Sequence, residues 1–231
     1  MQGAPLGVNV VWQVGPVLIT ETVVATWAIM AILGGGAALL TRRLALRPGA
    51  LQTALEGTVV ALEAAIAAVA PSQARRLLPL VGTLWVFLVV ANLVGLVPGL
   101  RSPTGDLSAT VALALLVFLS VHWFGIRGVG LRGYLRHYLS PSPILLPFHL
   151  IGEVTRTVAL AVRLFGNIMS LEMAALLILL VAGFLVPIPI LMLHIIEALV
   201  QAYIFGMLAL IYIAGGLEAA QRTREPSKET T

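Results

Sequence analysis

Arg163, Asn167 and Glu172 stand inside one long apolar run, and His194, Glu197 and Gln201 stand inside the next. Ionisable side chains flanked by hydrocarbon cost several kcal/mol in lipid unless they face protein or water, so each is a functional candidate. An arginine, with a pKa above about 12, cannot relay a proton but can hold a fixed positive charge against a carboxylate. Glutamate and histidine take up and release protons near neutral pH, and asparagine and glutamine order water between them. The residue types therefore suit an ion path that ends at a fixed cation. No catalytic residue is assigned. With no cysteine and four scattered histidines, neither a disulfide nor a metal centre is expected, and no cofactor is implied.

Spacing sorts these residues by face. Arg163 and Asn167, four apart, share one side of a helix, as do His194, Glu197 and Gln201 at offsets of three and four. Nine residues at about 100° each turn Glu172 to the opposite side from Arg163 and carry it about 13 Å along the axis, so the two are not a simple ion pair. An antiparallel register that sets Arg163 opposite Gln201, Asn167 opposite Glu197 and Glu172 opposite His194 predicts a helix that ends or bends near Gly183.

The elements that must carry this set are membrane helices. The chain is 59% hydrophobic and 10% charged, against about 25% charged in soluble domains. Its net charge of +4 is read by where the basic residues sit relative to the apolar runs; no nucleic-acid partner is expected. Residues 1–48 hold a first span, 16–40, and a basic stop at Arg42, Arg43 and Arg47. Residues 49–79 read as an amphipathic helix on the cytoplasmic surface, with Thr53, Glu56, Val60 and Glu63 along one narrow edge. Residues 80–126 form a pair of spans, 80–97 and 107–126, and 127–143 a basic cytoplasmic loop. Residues 144–217 form a hairpin of two stretches, 144–186 and 190–217, turning at Pro187-Ile-Pro189. At 1.5 Å per residue the first would be about 65 Å long, twice the hydrocarbon thickness, so the hairpin must be steeply tilted, bent or broken. A polar tail, 218–231, is expected to be disordered. The fold class is thus an all-α integral membrane protein of about five membrane helices plus the surface helix.

Of the 14 Lys and Arg, Arg156 and Arg163 lie in the long stretch and Arg101 falls outside; the others all lie in the assigned cytoplasmic segments. That bias predicts a multi-pass protein of a bacterial inner membrane, N-terminus outside and C-terminus in the cytoplasm. No cleavable targeting segment is read at the start. Glu153 and Arg156, three apart, suit a local salt bridge or a role in an exit path. Asn92 reads as an interhelical hydrogen bond in preference to an ion ligand. Asp106 reads as a cap for the helix after it, and His122, His137 and His149 as interfacial.

Arg163-Leu-Phe-Gly-Asn167, followed by Glu172, His194 and Gln201-Ala-Tyr-Ile-Phe205, closely resembles subunit a of F-type ATP synthases. Upstream, Trp85-Val-Phe with Asn92 and Pro98 resembles that family's second span, and Pro103-Thr-Gly-Asp106-Leu-Ser-Ala-Thr110 its following loop. The likeness covers roughly residues 50–217. It implies a stator subunit that translocates ions, protons in the first instance, against a rotating c-ring of carboxylate-bearing helical hairpins, with b subunits of a peripheral stalk and the lipid bilayer as further partners. In that family the matching arginine separates two offset half-channels. Carried over, Arg163 is the separator, while Asn167, Glu172, His194 and Gln201 line the outer half-channel or its junction with the ring, and Glu197 adds a further acceptor. Two departures stand out: Gly95 where some relatives carry an acid, and Glu197 where some are apolar. A sodium-translocating version of the same machine, and a stand-alone proton-coupled secondary transporter, are the alternatives.

Overall fold

A computed structural model describes residues 10–14, 17–42, 49–97, 100–139, 144, 146–182 and 187–222. Arg43 and Arg47 of the basic stop, Pro98-Gly99, the Ser-Pro-Ser-Pro run at 140–143, residues 183–186 and the tail beyond Arg222 lie outside them, while Pro187-Ile-Pro189, expected as the turn, is the start of a helix. The chain opens on an antiparallel hairpin, β1 (Val10–Val14) and β2 (Val17–Thr20), ahead of helix α1 (Glu21–Thr41). The expected span at 16–40 therefore starts later. Val17, Ile19 and Thr20 are β-branched and favour a strand, while Glu21 places a negative charge in the first turn of the helix, where the helix dipole favours it.

Helix α2 (Ala50–Val69) breaks at Ala70 before Pro71, and α3 (Ala74–Val94) begins after one 3₁₀ turn (Pro71–Gln73). The single surface helix expected over 49–79 is thus α2, a turn and the start of α3, with Arg75 and Arg76 in the first turn of α3. On α2, Gln52 donates to Glu56 at 2.7 Å, and Glu63 meets Arg75 across the turn at 3.3 Å. A second 3₁₀ turn (Pro103–Gly105) precedes α4 (Leu107–Leu139). Asp106 caps α4 as expected, its carboxylate accepting from the Ser108 amide at 2.9 Å.

The basic stretch after Ile126 is not a loop. Helix α4 runs on through Arg127, kinks at Gly130 with φ of 80°, and continues to Leu139. Basic residues carry ample helix propensity, and only the glycine, free to adopt positive φ, interrupts the rod. Helices α5 (Leu146–Ala182, 37 residues) and α6 (Pro187–Arg222, 36 residues) form the long hairpin. Each is about 55 Å long, well beyond a hydrocarbon core of about 30 Å. Pro187 starts α6, where its missing N–H loses nothing, and α6 carries the first residues of the expected tail as helix. Among the described residues, six helices have the length and apolarity of a span; α2 is the least apolar, with mean hydropathy 1.3.

Helix α6 is the central element. One of its sides packs Leu210, Ile213, Ala214 and Leu217 against Ile66 of α2 and Leu77, Val81 and Trp85 of α3. Ala202, Phe205 and Ala209 pack with Leu84 and Leu88 of α3, Ala114 and Val117 of α4, and Leu160, Ala161 and Leu164 of α5. Its closest approach to α3 is at Gly206, which lies directly beneath the Trp85 indole and leaves no room for a Cβ. There Trp85 Nε1 donates to the Tyr203 carbonyl at 3.3 Å.

Candidate functional site

On α5 the buried stripe is Leu160, Leu164, Ile168 and Leu171, at offsets of three and four. Arg163 and Glu172 fall on opposite flanks of that stripe, as the 100° rule requires, and they meet different surroundings. Arg163 is exposed on the flank of α5 between its buried stripe and the exposed Val162, Met169 and Met173. Among the described residues it makes no hydrogen bond or ion pair. A guanidinium is always charged, so this face presents one permanent cation within hydrocarbon.

One turn beyond Arg163, Asn167 donates to Gln201 of α6 at 2.7 Å. The expected register is therefore shifted by one turn at this level: Asn167 faces Gln201, which the sequence register set opposite Arg163, and not Glu197. Leu164 of α5 and Phe205 of α6 belong to one buried cluster, and the spacing of polar residues does not reveal how such side chains pack. Gln201 and His194 are both buried, seven residues apart on one face of α6 and so about 10 Å apart along it. Ala198, also buried, lies between them, and its carbonyl accepts from Asn92 of α3 at 3.0 Å. Asn92 thus makes the interhelical bond expected of it.

The network continues from Asn92 into the link before α4. Thr104 donates to Asn92 Oδ1 at 2.7 Å, the Ser102 and Thr104 hydroxyls lie 2.6 Å apart, and Ser102 donates to the Ala91 carbonyl at 2.9 Å. Ser102 and Thr104 are buried although they belong to a connection. Sequence reasoning read this segment as a family loop and missed them, because nothing in a Ser-Pro-Thr-Gly run distinguishes a buried polar knot from a surface turn.

Glu172 completes this end. Its carboxylate reaches under the link, with Oε1 at 3.4 Å from where a Cβ on Gly95 would lie and Oε2 at 3.2 Å from the same position on Gly105. The Ser102 amide, His194 and Arg101 are the groups that act on it electrostatically. Glu172 and His194 are thus brought together across α5 and α6, as the register required. Gly95, the departure noted above, supplies space that the Glu172 carboxylate occupies. Glu197 is half-buried on the same helix as His194 and Gln201. Of the five buried side-chain atoms without a hydrogen-bond partner among the described residues, three lie here, Glu172 Oε1, His194 Nε2 and Gln201 Nε2; the others are Glu153 Oε2 and Thr20 Oγ1.

At the other end of α5, Glu153 Oε2 lies 3.2 Å from His122 Nε2 on α4, and the Arg156 guanidinium lies over the Tyr212 ring of α6 at 5.5 Å. His122 and His149 line a cavity here; His137 lies where side chains are not described.

Long apolar helices enclosing a row of amide and titratable side chains, with one arginine held outside the row, define a multi-pass α-helical membrane protein built around a polar path. Residues 23–214 match the family described as ATP synthase A chain. ATP synthase subunit a 1 of Hahella chejuensis is 69% identical over 217 residues, covering 94% of this chain and 92% of the relative. ATP synthase subunit a 2 of Pelobacter propionicus is 63% identical over 220 residues, 95% of this chain and 96% of that relative. ATP synthase subunit a of Legionella pneumophila (strain Corby) is 56% identical over 209 residues, 90% of this chain and 91% of that relative. The chain belongs to the ATP synthase A chain family.

Proposed function

We propose that this chain is the membrane stator subunit of a rotary F-type ATP synthase and translocates protons between two half-paths that Arg163 keeps apart. The observation that carries the reading is the placement of Arg163: a permanent cation, unpaired among the described residues and exposed on the flank of an otherwise apolar α5. In a bilayer such a group needs a negative partner, and a ring of hairpin subunits bearing mid-membrane carboxylates supplies one after another. The chain itself performs no covalent chemistry.

Asn167, Glu172, His194 and Gln201, with Glu197 beside them, line the outer half-path. A proton entering from outside passes this row and neutralises a ring carboxylate. The neutral carboxyl can then leave the arginine and travel through lipid. A carboxylate that has given up its proton on the other side returns to the guanidinium, which holds it until it is reloaded. Each proton moved through 100 mV supplies about 2.3 kcal/mol, so several are coupled to one ATP and a leak past Arg163 would dissipate them all. In this arrangement the N-terminus is outside and the C-terminus in the cytoplasm of a bacterial inner membrane. α2 lies along the cytoplasmic surface with its Gln52, Glu56 and Glu63 edge toward water, and peripheral-stalk b subunits hold the stator in place.

Arg163→Ala tests the reading. ATP synthesis by the assembled complex in vesicles under a proton gradient should fall to background while its soluble head still hydrolyses ATP. Arg163→Lys should lose most of the synthesis as well, because a compact ammonium lacks the planar fork. Normal synthesis by the Arg163→Ala complex would overturn the reading.

A further inference from the structure

Away from the polar row, two arginines lie against aromatic rings where α3 begins and the apolar part of α4 stops. Arg76, in the first turn of α3, has its Cζ over the Phe124 ring of α4 at 5.5 Å. Arg127, one turn beyond Trp123, has its Cζ over that indole at 5.0 Å. At about 100° per residue, Trp123, Arg127 and Phe124 fall within one sector of α4 about 100° wide. A Cβ on Gly128 would meet Leu217, and one on Gly216 would meet Val121, so α6 lies on the side of α4 that carries residues 121 and 128. Trp123 is about 140° or more round the helix from that side, and it is 60% exposed.

Arg76 and Arg127 are both exposed, and among the described residues neither makes a hydrogen bond or an ion pair. The adjacent Arg75 differs, because Glu63 meets it at 3.3 Å. The neighbouring carboxylates are engaged elsewhere: Glu56 with Gln52, Glu63 with Arg75, and Glu153 with His122. A ring face attracts a cation but is a poor hydrogen-bond acceptor, so each guanidinium still has five N–H donors to satisfy. Both arginines lie close to the ends of apolar spans, Pro71–Val94 and Leu107–Gly128. That is the level at which hydrocarbon gives way to headgroups, where arginine and tryptophan extend toward the interface. The acceptor found there is the phosphodiester of a lipid, whose two free oxygens suit the planar fork of a guanidinium. A zwitterionic headgroup cancels that charge with its own ammonium, which two guanidiniums repel. An anionic headgroup leaves the charge available.

We propose that Arg76 and Arg127, over Phe124 and Trp123, bind the headgroup of an anionic phospholipid. Its acyl chains lie along the flank of α4 that exposes Leu119 and Leu116, one and two turns back from Trp123. The site uses no part of the ion path, so it holds independently of the stator reading. In the topology proposed above, the lipid belongs to the cytoplasmic leaflet.

The test is quenching of Trp123 in the assembled complex, reconstituted in phosphatidylcholine vesicles. One series adds phosphatidylglycerol brominated high on its acyl chain, the other phosphatidylcholine brominated at the same place. The difference between wild type and Trp123→Phe isolates this indole from Trp12, Trp27, Trp85 and the other subunits. Phosphatidylglycerol should be preferred about tenfold or more. A basic residue at a membrane surface is worth about fivefold toward anionic lipid, so Arg76→Gln and Arg127→Gln should each lower the preference about fivefold. The double variant should show almost none, and Arg75→Gln should keep the wild-type value. Equal quenching of wild type by the two lipids would overturn the proposal, and so would an undiminished preference in the double variant or an equal drop in Arg75→Gln. The wild-type series needs only Trp123→Phe as its reference, so it decides the question even if the arginine variants fail to assemble. Quenching by neither lipid would mean that a protein partner covers Trp123, and the site would be withdrawn. Inorganic phosphate, against chloride at matched ionic strength, should leave the preference intact. Its loss in phosphate would assign the arginines to a soluble anion and overturn the lipid.

Discussion

The two ends of α5 solve a similar problem with different construction. At one end Glu172 is wedged beneath a short link, against two glycines and beside a chain of hydrogen bonds through Ser102, Thr104, Asn92 and the Ala198 carbonyl. At the other, Glu153 meets its histidine at the wall of an open cavity, and the surrounding groups are rings and long side chains. The first is held by backbone and by small polar groups with little freedom. The second is held by aromatic packing and leaves room for water. The lesson is that a titratable pair in a membrane can be positioned either by filling the space around it or by shaping a void beside it. The two designs should fail differently, the filled one through assembly and the open one through transport rate.

That contrast can be broken or sharpened experimentally, beginning with the largest effect. Glu172→Gln should lower ATP-driven proton pumping by about tenfold or more while the complex assembles, since the amide keeps the shape but exchanges no proton; dye quenching in inverted vesicles measures it. Next, Asn92→Leu should destabilise the assembled subunit by about 1–3 kcal/mol, because Thr104 and the Ala198 carbonyl both lose a buried partner. Glu153→Gln, in the open end, should shift the thermal midpoint of the purified complex less. Equal shifts would erase the distinction between the two designs. The smallest change is Gly105→Ala. Its Cβ would press on both carboxylate oxygens of Glu172, and an off-rotamer displacement at the low end of about 0.5–1.5 kcal/mol corresponds to roughly threefold slower pumping. Combining it with Glu172→Asp, which withdraws the carboxylate by one methylene, should recover part of the loss.

Much of this was legible from residue types and spacing. Hydropathy marks the apolar helices, because a span must be long and uninterrupted, and the isolation of Arg163 among Val162, Leu164 and Phe165 marks it as a candidate without any partner in view. The capping by Asp106 and the bond from Asn92 follow from local chemistry. The strand pair ahead of Glu21 escaped because Val and Ile suit a strand and a membrane helix equally in an apolar stretch. The one-turn shift that joins Asn167 to Gln201 escaped because periodicity assigns a residue to a face and says nothing of which turn on the neighbouring helix it meets. The pairing of His122 with Glu153 depends on α4 and α5 lying side by side, and no local pattern carries that information.

Gly130 gives these observations a use in comparing sequences. Its positive φ turns the end of α4 back so that the Tyr134 ring lies over Gly125 and beside His122. A glycine at this place, a tyrosine four residues later and a second glycine five residues earlier form a three-letter signature for a cavity roofed by its own helix. A relative that keeps the histidine but lacks the signature must cover that imidazole with a different segment, and can be recognised as doing so from its sequence alone.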